Sequence, residues 1–64
     1  MKKVVVAFPD TQKIADFVIS NNIKNVQVDT RLRTIEADLN DDEIILAVSD
    51  YEGKVIPHKN YLLD

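Results

Sequence analysis

The chain contains no cysteine. It therefore forms no disulfide and offers no thiolate to a metal or as a nucleophile. It has a single glycine, Gly53, which excludes a glycine-rich loop cradling phosphate. Its single histidine, His58, lacks the further His or Cys partners of a zinc site. Positive charge is also scarce. Eight Lys and Arg stand against 11 Asp and Glu, for a net charge of −3. No basic stripe is present, so no nucleic-acid partner is expected. Long apolar runs are missing too. Val4 to Phe8 follows Lys2-Lys3 but is too short for a signal peptide and ends at Pro9-Asp10. Nothing approaches the length of a membrane span. The expectation is a cytoplasmic protein without membrane insertion.

What is present suits a folded domain. Hydrophobic residues make up 45% of the 64-residue chain, with only two prolines. One domain over residues 1–64 is expected, near the lower end of what folds alone. Without disulfides, its stability must come from packing.

The hydrophobic period changes along the chain. Lys3 to Phe8 is β-branched and short, which reads as a strand. Val4, Val6 and Phe8 share one face, and Val5 and Ala7 the other. Pro9-Asp10 breaks the strand, and Asp10 or Thr11 can cap a helix. Ile14, Phe17, Val18 and Asn21 follow at helical spacing, with Ala15 and Ile19 widening the stripe. Ser20-Asn21-Asn22 ends that helix. From Ile23 the period becomes two, with Val26 and Val28 alternating with polar residues. Asp29-Thr30-Arg31 reads as a turn. Ile35, Ala37 and Leu39 then alternate with Thr34, Glu36 and Asp38, completing an antiparallel hairpin.

Asn40, with Glu43 three residues on, has the spacing of a capping box. Ile44, Ala47, Val48 and Tyr51 make the second helical stripe, and Gly53 is expected to stop it. Lys54-Val55-Ile56 reads as a last strand. Pro57 cannot donate to a ladder, which places that strand at a sheet edge. The tail from His58 to Asp64, with Tyr61-Leu62-Leu63, can either fold back or fray.

This order predicts an α+β fold, a ferredoxin-like βαββαβ two-layer sandwich with antiparallel sheet order 4-1-3-2. Both helices would cover one face. The other would be wet and carry Lys3, Val5, Ala7, Gln27, Glu36, Ile56 and His58. Lys24 and Asp29 charge the outer edge of the second strand. Charged edges discourage pairing, so a monomer is expected.

The stretches Ile23 to Asp29, Thr34 to Asp38 and Asp42 to Val48 resemble the heavy-metal-associated domain, the family of copper chaperones. The resemblance covers most of the chain. That family carries Met-x-Cys-x-x-Cys between its first strand and first helix, where soft thiolates bind Cu(I). Here Phe8 stands at the Met position, and Asp10 and Lys13 stand at the two Cys positions. Tyr51-Glu52-Gly53 replaces the family's Gly-aromatic pair. The resemblance thus implies the family's scaffold with no metal ligands and no cofactor. It also implies docking through the loop Phe8, Pro9, Asp10, Thr11, Gln12 and Lys13, the face used by the family.

Each of these residues also has a simpler reading. Phe8 can anchor the loop in the core, Asp10 can cap the helix, and Lys13 can be solvated. The acids Asp38, Asp41, Asp42 and Glu43 lack the pattern of a calcium loop and suit a helix start. No nucleophile is paired with a base, so no enzyme is expected. The reading reached is a non-catalytic binding or adaptor module with a protein partner. One alternative is weak metal binding through Asp and His. Another is a small-ligand-sensing regulatory domain.

Overall fold

The structure, a computed structural model, describes residues 2–57. Its elements follow the expected order: β1 (Lys2–Ala7), α1 (Thr11–Ser20), β2 (Gln27–Asp29), β3 (Thr34–Leu39), α2 (Asp41–Asp50) and β4 (Lys54–Ile56). The four strands form one antiparallel sheet in the order β2-β3-β1-β4. Read from the other side this is 4-1-3-2, so the fold is the ferredoxin-like α+β sandwich. Pro57 directly follows β4, which pairs only with β1. Its missing N–H thus falls where no ladder bond is lost. The tail residues fall outside the described part.

The register explains where the core sits. Val4 and Val6 lie opposite Ala37 and Ile35. With Leu39, they point to the face on which Ile14 and Phe17 of α1 and Ala47 of α2 pack. Phe17 is fully buried, which stabilises the fold by roughly 1.5–3 kcal/mol relative to exposure. Its ring lies 5.7 Å from that of Phe8 and meets Tyr51 edge-on at 5.3 Å. These contacts join β1, α1 and the end of α2.

Both helices begin as the sequence dictates. Asp10 is the N-cap of α1, and its carboxylate accepts from the Lys13 N–H at 2.9 Å. Asn40 caps α2, and its side chain accepts from the Glu43 N–H at 2.8 Å. The Glu43 carboxylate in turn accepts from the Asn40 N–H at 2.9 Å. The end of α1 is a Schellman turn. Asn22 has φ 54°, and the N–H groups of Ile23 and Asn22 donate to the Val18 and Ile19 carbonyls.

Several expectations need correction. Val5 was placed on the wet face but is only 2% exposed. It sits mid-sheet between Glu36 and Ile56 of the flanking strands, which shield it. Thr34, expected to be outward, is also buried. Ala15 and Ile19 do not widen the buried stripe of α1, since both are exposed and Ile19 is 77% so. The sheet beneath them ends at β2, which is only three residues long.

Val48 is exposed as well, because the contact line of α2 runs through Ile44, Ala47 and Tyr51. Gly53 does not supply the left-handed residue after α2, a role taken by Glu52 at φ 59°. Gly53 is required by space. A Cβ there would lie 2.8 Å from Val6 Cγ1 and 2.9 Å from the Ala47 carbonyl oxygen.

Candidate functional site

The first strand-to-helix connection was the expected binding loop. Its residues divide into two groups. Phe8 is 5% exposed and belongs to the core, held there by its N–H donating to the Arg33 carbonyl at 2.8 Å. It anchors the loop and is not available to a partner. Pro9, Asp10, Thr11 and Gln12 are exposed, and Lys13 is half-buried. Asp10 is engaged as the helix cap, and the Gln12 amide donates to the Asp16 carboxylate at 3.2 Å. The polar side chains presented by the loop carry hard oxygen and nitrogen groups, and those of Asp10 and Gln12 are already used in local structure. Soft metals favour sulfur instead.

The acidic run at the start of α2 is likewise committed. Glu43 closes the capping box, and Asp41 and Asp42 occupy the first turn, where the helix dipole favours them. Asp38 and Glu43 border a hollow of about 250 Å³ with Lys24 and three neighbours from the α1–β2 connection. Among the described residues, no group of three or more His, Cys, Asp or Glu is placed to hold a metal ion. His58 falls outside the described residues. No described helix is long and apolar enough to cross a membrane.

What the sequence reading missed lies beside the loop. From Thr11 an open trough of about 320 Å³ runs between α1 and β2. It is lined by Thr11, Ile14, Ala15, Val18, Ile19, Val28 and Thr30. None of these residues carries a charge. Val28 lies opposite Ile35 in β3 and so points to the helix side of the sheet, yet it is 46% exposed. Leu32, in the hairpin turn next to this edge, is exposed too. One sequence signal was available. Ala15 and Ile19 broaden the apolar stripe of α1 beyond what Ile14 and Phe17 need to cover the sheet.

The hairpin turn is held by Asp29, whose carboxylate accepts from the Leu32 N–H at 3.0 Å. The left-handed residue Arg33 then leads into β3. The site is thus the exposed loop Pro9–Gln12 continued by an aliphatic trough along the β2 edge. Comparison with protein-family models, curated proteins and solved structures finds no match.

Proposed function

We propose that this chain is a non-catalytic protein-binding module of the cytoplasm, a cysteine-less relative of the heavy-metal-associated domain. The reading is carried by the uncharged trough between α1 and β2, which opens at the expected docking loop. Burial of apolar surface contributes about 25 cal/mol per Å² removed from water. A trough of this kind therefore favours an aliphatic partner surface over an ion or a polar metabolite. Asp10 and Gln12, polar and exposed, flank Thr11 at one end, which suits the usual plan of an interface with an apolar centre.

Photo-crosslinking in cells tests this reading. A benzophenone-bearing residue is placed at Ile19 in the trough and, in a separate chain, at Lys54 on the opposite edge. Position 19 is expected to give a discrete protein adduct that position 54 does not. The adduct should disappear when Val28→Lys is added. An equal and diffuse pattern from both positions would refute the reading.

A further inference from the structure

We infer that the open face of the sheet, on the side away from the helices, carries a binding site for a guanidinium group. The site does not depend on the trough, which lies on the helix side. Side chains alternate across a strand. Gln27 and Asp29 of β2 therefore share the open face with Thr34 and Glu36 of β3 and Val5 of β1. Gln27 lies directly opposite Glu36, and Asp29 opposite Thr34. Val5 flanks Glu36 on the other side. These five residues border a hollow of about 210 Å³. It holds two half-buried carboxylates, and no lysine or arginine lines it.

Thr34 sets this hollow apart from a chance pair of acids. It is only 7% exposed. Its hydroxyl has no hydrogen-bond partner among the described residues, yet no buried side-chain oxygen there is sealed off without one. The hydroxyl therefore opens into the hollow that Thr34 lines. One carboxylate oxygen of Asp29 accepts from the Leu32 N–H. Its other oxygen and the Glu36 carboxylate are free to accept more. Acceptors gathered without a donor, with two negative charges and no counter-charge, select a cation bearing several N–H groups.

The size and spacing narrow the choice. The hollow is several times the ~30 Å³ that one water occupies in the liquid, so it suits a polyatomic cation. A hard metal ion takes six or more oxygens, and among the described residues no three carboxylates converge. Asp29 and Glu36 are diagonal partners on neighbouring strands, a spacing of roughly 7–8 Å. A planar guanidinium donates from opposite edges and spans that gap better than a compact ammonium. The Gln27 carbonyl and the Thr34 hydroxyl can accept its remaining N–H groups, and Val5 offers an apolar wall to its weakly hydrated face.

Amide chemical-shift titration of the ¹⁵N-labelled full chain with N-acetyl-arginine amide is the test. Saturable shifts are expected at Gln27, Thr34 and Glu36 at millimolar concentration, with Ala15 and Ile19 unmoved, and added salt should weaken them. Glu36→Gln keeps the shape and removes the charge, and should raise Kd roughly tenfold. Thr34→Val keeps a β-branched strand residue and should raise it roughly threefold. Circular dichroism confirms the fold of each variant. A parallel titration with free arginine separates the two sources of the group. Tighter binding of the blocked form assigns the site to a peptide side chain, and tighter binding of the free form to a small molecule. Absence of saturable shifts would overturn the inference. So would equal shifts from N-acetyl-lysine amide or calcium chloride, shifts confined to Asp38, Asp41 and Asp42, or an unchanged Kd in a folded Glu36→Gln variant.

Discussion

Phe17 shows how much of this small fold rests on single side chains. It is fully buried and touches aromatic rings on two other segments. Phe17→Ala should destabilise the domain by about 3–5 kcal/mol, a large share of the stability of a chain this short. Urea unfolding measures it, and a loss under 1 kcal/mol would contradict the packing described. Gly53→Ala is expected to cost about 1–3 kcal/mol, because the added methyl meets a backbone carbonyl and Val6 at under 3 Å. The same titration reads it.

At this scale, legibility depended on locality. The cap at Asp10 was readable from adjacent residues, and the anchoring of Phe8 from its place in the strand alternation. The burial of Val5 and the closeness of Gly53 to Val6 were not, because each is set by a neighbour far along the chain.

The elements owe their boundaries to a few polar contacts. Asn40→Ala removes the side-chain oxygen that accepts from the Glu43 N–H, while the backbone N–H at position 40 keeps its bond to the Glu43 carboxylate, and should lower stability by about 1 kcal/mol. Asp10→Ala should do likewise at α1. The two caps serve different helices, so the double variant should show the sum to within about 0.5 kcal/mol. A clear departure in denaturant titrations would mean that the helix starts are coupled.

The capping box was visible in the sequence because it is a spacing. The length of β2 was not. Alternation from Ile23 suggested a longer strand, but only Gln27–Asp29 finds partners in β3. That shortening decides the site. It leaves the flank of α1 uncovered and turns Ile19 from an expected core residue into an exposed one.

At the scale of the molecule, the βαββαβ order and the edge position of β4 were readable from two changes of hydrophobic period and from Pro57. The β1–α1 connection falls where the sequence places it, but the trough beside it depends on the fit of α1 against a sheet edge, which no local pattern encodes. The chain supplies no sulfur donor apart from methionine. Titration with Cu(I), Zn(II) or Ni(II) under native mass spectrometry is therefore expected to leave the protein mass without a stoichiometric metal adduct at micromolar concentration. A retained copper ion would favour the metal-binding alternative. The apolar residues Ile45 and Val48 of α2 and Val55 of β4 are also exposed, so a second apolar surface competes with the α1–β2 edge for a partner.

Amide chemical-shift mapping of the ¹⁵N-labelled chain makes that distinction directly. The spectrum of the free chain is compared with that of the chain bound to the protein crosslinked at position 19. The shifts are predicted to cluster at Thr11, Ala15, Ile19, Val28 and Thr30. Shifts confined to Ile45, Val48 and Val55, with the α1–β2 edge unmoved, would contradict the central claim.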